Sequence, residues 1–317
     1  VILCGDIGGT KALLAIAELD DGKPRFLFSQ RHECADYSDF DQLFERFRKD
    51  SDAFASGITG GCLAVAGPID DDGLVAKFTN LPWQVSAVAC GDAFGLSPVR
   101  LVNDFAAAAA GIAALNPDEL ATIQPGAPLT DGVRLVVGAG TGLGMAILVP
   151  DGSGWRVIPG EGGHAGYSPQ NETQLRIHAA LLADHGRVCW EQVVSGPGLA
   201  AMHRILTGRT LEPAAIAEDA LNDPTSPAGD SLATFIEAYG AFAGDMALAV
   251  MARGGVFLAG GIAAKVLPLM RSGRFISAFC AKAGHAALTA RMPVHVVTDP
   301  ELGLKGAALL VGNSTTG

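Results

Sequence analysis

Certain stretches of the sequence hold residues whose types and spacing could do chemistry. Gly5-Asp6-Ile7-Gly8-Gly9-Thr10 sets a carboxylate at the end of an apolar run, then two glycines and a hydroxyl. Turns of this build aim backbone N–H groups outward, and the missing side chains let phosphate oxygens approach. Gly138-Ala139-Gly140-Thr141-Gly142 is a second cradle of the same kind, and Gly260-Gly261 offers bare backbone against which a flat ring could slide. Taken singly, each is equally a glycine-rich turn with no ligand. Two in equivalent places, facing each other across a cleft, make a stronger signal. Neither is the Gly-x4-Gly-Lys-Ser/Thr loop, and no Gly-x-Gly-x-x-Gly opens a helix, so the P-loop and Rossmann readings fall away.

Asn103-Asp104 stands at the end of an apolar strand and before an alanine-rich run. Asp104 is either the N-cap of that helix or a general base at a strand end, where α/β enzymes place catalysis. Glu161-Gly162-Gly163-His164 joins an acid and an imidazole on a turn with little bulk, which suits a polyhydroxylated ligand or is simply a surface loop. Residues 165–177 add no cysteine or histidine, so a metal reading lacks ligands. Glu191 is a similar, weaker candidate.

These residues need elements to position them. Val1–Ile7 reads as a buried strand ending at Gly8, Lys11–Leu19 as a second strand antiparallel to it, and Asp20–Pro24 as a turn before a third strand at Arg25–His32. Phe40, Leu43, Phe44 and Phe47 recur at helical spacing, with Ser38 as the expected N-cap. Cys62–Ala66 and Leu101–Val102 are further strands, and Phe105–Leu115 a helix. After an expected loop over Asn116–Gly132, strands at Val133–Gly138, Leu143–Val149 and Trp155–Pro159 repeat the opening plan, with a turn at Asp151–Gly154. Residues 171–252 read as mostly helical. Strands at Gly255–Ala259 and Val294–Thr298 precede a closing helix from Gly303 to about Asn313. The expectation is α/β, with a mixed sheet in each of two lobes and an inter-lobe cleft: residues 1–114 with a returning helix at 303–317, and residues 115–302.

The chain has 317 residues, with 22 basic and 33 acidic side chains for a net charge of −11. That balance argues against nucleic acid and anionic membrane as partners. Its hydrophobic fraction of 49% is enough for a large core, while the longest apolar stretch, Phe105–Leu115, is too short to span a bilayer. Glycine, at 41 residues, is about twice its usual share and gathers in the tight clusters above. None of the six cysteines (4, 34, 62, 90, 189 and 280) lies within four residues of another, so they read as reduced core side chains of a cytoplasmic protein.

In chain order, Gly5–Thr10, Thr79-Asn80-Leu81-Pro82-Trp83, Asn103-Asp104-Phe105, Gly138–Gly144, Glu161–His164, Ser195-Gly196-Pro197-Gly198-Leu199 and Gly260-Gly261-Ile262 together resemble the bacterial glucokinase family. This is a hexokinase-like group in the actin, heat-shock and sugar-kinase superfamily, and the likeness covers nearly the whole chain. The resemblance implies a two-lobed actin-like ATPase (ribonuclease H-like) fold and ATP-dependent phosphorylation of glucose at its 6-hydroxyl, the entry step of glycolysis. It implies Asp104 as catalytic base. Asn103, Asp104, Glu161, His164 and Glu191 would bind the sugar, and Gly5, Asp6, Ile7, Gly8, Gly9, Thr10, Gly140, Thr141, Gly142, Gly260 and Gly261 would bind ATP. Asp6 would orient Mg²⁺ through water, and the family suggests a homodimer. Two positions depart from the family. Lys11-Ala12-Leu13 replaces the usual Asn-Ala-Arg, and Gly166 stands where an acid is common. The first change resembles the related repressor–kinase family, whose cysteine-rich zinc motif this chain lacks. A kinase for another hexose or amino sugar is one alternative. A catalytically dead sugar sensor is the other, and a DNA-responsive form of it would need a DNA-binding element ahead of the first strand, which the sequence does not lead one to expect.

Overall fold

The computed structural model describes residues 1–78, 81–152 and 154–311. Thr79, Asn80, Ser153 and the end of the expected closing helix at Asn313 lie outside the described residues. Contacts divide the chain into two compact units, Val1–Asn116 with the segment from Asp299 onward, and Pro117–Thr298.

The first unit opens with an antiparallel meander of β1 (Ile2–Ile7), β2 (Lys11–Asp20) and β3 (Lys23–Glu33). The turn between β2 and β3 is shorter than expected. Asp20 pairs with Lys23, leaving only Asp21 and Gly22, both at positive φ, in the two-residue geometry that matches strand twist. Pro24 therefore lies inside β3, where it is tolerated because β3 is the sheet edge. Helix α1 (Phe40–Asp50) buries Phe40, Leu43, Phe44 and Phe47. Its N-cap is Asp39 rather than Ser38. The Asp39 carboxylate accepts from Gln42 N–H at 2.8 Å, and the Ser38 hydroxyl donates to that carboxylate and to Gln42 Oε1. Strand β4 (Gly61–Val65) follows where Cys62–Ala66 was expected, then β5 (Val75–Lys77), β6 (Gln84–Ser86) and α2 (Ala87–Asp92), which local pattern did not announce. Strand β7 (Arg100–Asn103) leads into α3 (Asp104–Gly111), which ends four residues before the expected Leu115 because Ile112–Ala114 tighten into a 3-10 turn. The sheet order is β3-β2-β1-β4-β7, with β4 and β7 parallel to β1.

The second unit repeats this order. Its meander is β9 (Arg134–Ala139), β10 (Leu143–Pro150) and β11 (Trp155–Gly160), preceded by β8 (Leu120–Gln124) inside the stretch expected to be a loop. Strand β8 is a sheet edge whose prolines and glycines lie to either side of it, so composition alone concealed it. Helices α4 (Glu172–His185), α5 (Gly196–Thr207), α6 (Pro213–Asn222) and α7 (Pro227–Val250) come next. Strand β12 (Gly255–Ala259), short helices α8 (Gly261–Lys265), α9 (Leu267–Met270), α10 (Arg274–Cys280) and α11 (Ala286–Thr289), and strand β13 (Val294–Val297) complete the unit. The order β11-β10-β9-β12-β13-β8 reproduces the first sheet with β8 added at its edge. A single apolar cluster, including Leu135, Val137, Trp190, Tyr239 and Phe242, joins this sheet to its helices. Among the described residues, no helix is long and apolar enough to cross a membrane.

The chain then returns to the first unit as α12 (Leu302–Leu310), packed on α3, β1 and β4. Helices α3 and α12 approach through glycines, because a Cβ at Gly306 would overlap the Ala107 carbonyl and one at Gly111 the Leu302 carbonyl. Gly306→Ala is expected to destabilise the first unit by about 2–4 kcal/mol through forced backbone separation, checked by urea unfolding.

Candidate active site

In the first unit, the glycine–threonine turn joins β1 to β2. Gly5 is sealed within the sheet between Leu14 and Leu63, and the Ile7 side chain belongs to the core. Neither can touch a ligand with its side chain, so their place in the expected ATP-binding set is as strand backbone leading to the turn. The Gly8 N–H donates to the Lys11 carbonyl at 2.8 Å, which closes the turn, and Thr10 is exposed. Lys11 is exposed as well, while Ala12 is buried.

Asp6 is the half-buried acid at the end of β1. Its carboxylate lies against Gly303 in the first turn of α12, where any Cβ would overlap it. Burial and, second, the charge of Asp104 push this carboxyl up to about 7. The first-turn amides of a helix favour negative charge, but here desolvation wins. Gly303 was invisible as a site residue in the sequence, since nothing local links a glycine of the last helix to an acid of the first strand.

The junction of β7 and α3 shows which residue caps the helix. Asn103 is the N-cap. It has extended backbone, and its Oδ1 accepts from Phe105 N–H at 2.9 Å and Ala106 N–H at 3.3 Å. Asp104 is the first helical residue, with Oδ1 receiving the Phe105 N–H at 2.8 Å. Capping is thus the work of Asn103, and Asp104 is the acid held beside Asp6.

In the second unit, three segments form one hydrogen-bonded block. The Gly140–Gly142 turn joins β9 to β10 and is closed by Gly140 N–H donating to the Gly142 carbonyl at 2.8 Å. Gly196 N–H at the start of α5 donates to the Gly140 carbonyl, also at 2.8 Å. Glu161 and His164 flank a single 3-10 turn at Gly162–His164, with Glu161 Oε2 and His164 Nε2 3.8 Å apart and both side chains largely exposed. Gly163 packs directly on the Leu143 carbonyl, leaving no room for a side chain. Glu191 sits on a 3-10 turn at Trp190–Gln192, tied to the end of the Glu161–His164 segment by Trp190 N–H donating to the Ala165 carbonyl at 3.0 Å. Its Oε2 accepts the Leu143 N–H at 2.8 Å. Gly260, at positive φ, backs onto Ala139 at the end of β9, and Gly261 has open space beside its Cα. Gly166 bridges to Cys189 and likewise faces open space. Among the described residues, no three His, Cys, Asp or Glu side chains gather as a metal cluster. Cys4, Cys34, Cys62 and Cys90 are buried, Cys189 and Cys280 partly so, and burial raises the Cys62 thiol to about 12.

Two ribonuclease H-like units, each with a glycine–threonine hairpin joining the first two strands of its meander, are the construction of the actin-like ATPases, the class that contains the sugar kinases. The glucokinase family model matches residues 3–314, and the chain belongs to the glucokinase family. A glucokinase from Trichormus variabilis is 34% identical over 98% of each chain. A crystal structure of a glucokinase from an Antarctic psychrotroph is 30% identical, covers 99% of each chain and superposes with a TM-score of 0.86. A ROK family glucokinase from Streptomyces griseus, solved in complex with glucose and AMPPNP, is 21% identical, covers 98% of each chain and shares the fold at a TM-score of 0.64.

The raised Asp6 carboxyl carries a stability signature. Between about pH 4 and pH 7 the folded chain keeps a proton that the unfolded chain has released, so rising pH favours unfolding through that window. Asp6→Asn is expected to match the parent near pH 4 and to exceed it above pH 7 by up to about 4 kcal/mol, read by urea unfolding in Mg²⁺-free buffer.

Proposed function

We propose that the chain transfers the γ-phosphoryl group of ATP to the 6-hydroxyl of glucose, giving glucose 6-phosphate and ADP. Family membership supports the reaction class. The observation that carries the residue assignment is the division of roles at the start of α3, where Asn103 caps the helix and Asp104 is held in the field of Asp6.

A sugar hydroxyl has a pKa far above that of a carboxylate, so Asp104 cannot strip its proton before attack. It orients the 6-hydroxyl and accepts the proton late, as the bond to phosphorus forms. Phosphoryl transfer is chiefly positioning and charge neutralisation, which the remaining groups supply. Asn103, Glu161, His164 and Glu191 hold the other hydroxyls. Gly8, Gly9, Thr10 and Gly140–Gly142 line the phosphate path, and Gly260 and Gly261 flank the base. Asp6 fits Mg²⁺ held through water, because a carboxyl raised by burial and a neighbouring negative charge is one that a cation would stabilise as the anion. When bound, Mg²⁺ supplies charge neutralisation on the phosphate oxygens. The homodimer of the family is proposed here as well, with the exposed Leu175 and Leu182 of α4 available to a second copy.

Asp104→Ala is expected to lower turnover by about 10²–10⁴-fold while calorimetric glucose affinity stays within a few-fold of the parent. Near-parental turnover would remove Asp104 from the base role.

A further inference from the structure

A cavity of about 510 Å³ opens in the second unit between the start of α4, the middle of α7 and α10. Among the described residues that line it, none is assigned above to sugar, phosphate or nucleotide. Its volume is that of a small-molecule site. Its chemistry follows from which hydrogen-bonding atoms the protein has already used. Gln174 lines the cavity and is only 2% exposed. Its Oε1 accepts the Gln170 N–H at 2.8 Å, a bond that only the oxygen of the amide can accept, so Nε2 is the atom left over. That nitrogen has no acceptor among the described residues, a rare state for a side chain so buried. Asn171 repeats the arrangement, because its Oδ1 takes the Gln174 N–H at 2.9 Å as the cap of α4 and leaves Nδ2.

The opposite wall is cationic. The Lys282 side chain is 9% exposed, donates to the Ala241 carbonyl at 2.9 Å and pairs with Asp245 at 2.7 Å. A Cβ at Gly244 would overlap its Cε, so the stem is held against α7, with one ammonium hydrogen to spare. Arg274 gives one guanidinium nitrogen to Glu237 at 2.6 Å and keeps its other N–H groups. The amide oxygens of the lining are therefore spent within the protein and its nitrogens are not. Two cations, Arg274 and Lys282, face one acid, Glu237, in a chain of net charge −11.

We propose that this cavity is a second binding site, for a small organic anion. Its phosphate or carboxylate oxygens accept from the Gln174 and Asn171 amides, and Lys282 and Arg274 meet its charge through charge-assisted bonds. A neutral polyol would bring hydroxyl donors to amide oxygens that are already occupied. Such a site is independent of the reaction proposed above.

The test is calorimetry on the full chain, in glucose and Mg-AMPPNP, titrating glycerol 3-phosphate, malate, 3-phosphoglycerate and glycerol. At least one of the three anions should bind while glycerol gives no heat. Glycerol 3-phosphate against malate tells a phosphate ligand from a carboxylate one. Gln174→Glu keeps the oxygen that holds Gln170 and puts an anionic oxygen where Nε2 stood, so anion affinity should fall at least about tenfold. Arg274→Gln should lose about as much. Ser277→Phe, at an exposed position on the cavity wall, should block binding while thermal midpoint and sugar-dependent ADP release stay parental. If Gln174→Glu does not fold, the last two variants carry the test. No heat with any of the three anions, equal heat from glycerol, or parental affinity in Arg274→Gln and Ser277→Phe would overturn the proposal. Sugar-dependent ADP release in the same parent sample reports separately on the kinase reading.

Discussion

The structure of the first unit depends on one close approach, the carboxylate of Asp6 against the bare Cα of Gly303. Almost three hundred residues separate the two. For that contact to form, the chain must leave the first unit after Asn116, build the second, and return as α12. The return is possible only because α12 is glycine-bearing on its inner side, at Gly303 against Asp6 and Gly306 against α3. Any side chain at either place would push the helix outward. The Asp6 carboxyl would then lose the contact that buries it, and α3 the close approach of Gly306 to the Ala107 carbonyl. The acid that looks most chemical in the sequence is thus held by the element that looks least so.

The second unit uses the same device differently. Glu191 rests against Gly142 as Asp6 rests against Gly303, but Glu191 also takes an amide hydrogen, from Leu143. Burial and the neighbouring Asp104 charge push the Asp6 carboxyl up to about 7. The other accepts the Leu143 N–H and remains half exposed.

What the sequence made legible follows from this. Gly8-Gly9-Thr10, Gly140-Thr141-Gly142, Asn103-Asp104 and Glu161-Gly162-Gly163-His164 could be read because their chemistry needs adjacent residues. The two meanders were readable for the same reason, as strands joined by short turns. Helix α1 was legible from Phe40, Leu43, Phe44 and Phe47, but its cap was misplaced by one residue. Ser38 and Asp39 are both good caps, and only the direction of the chain chooses Asp39. Asp104 was allowed as a cap for the same reason, and Asn103 took that role. Strand β8 was hidden because its partner, β13, lies about 170 residues away and supplies the register that its own five residues lack. The contacts of Gly303 and Leu143 have no local signature at all. Of the two departures from the family, Lys11 is exposed and Gly166 faces open space.

The most direct test of the account is ADP release from Mg-ATP with glucose, mannose, fructose, N-acetylglucosamine and no sugar. The account predicts turnover that depends on glucose and well exceeds that with any other sugar or the blank. Turnover indifferent to sugar, or none with any of them in protein that still binds glucose, would contradict it.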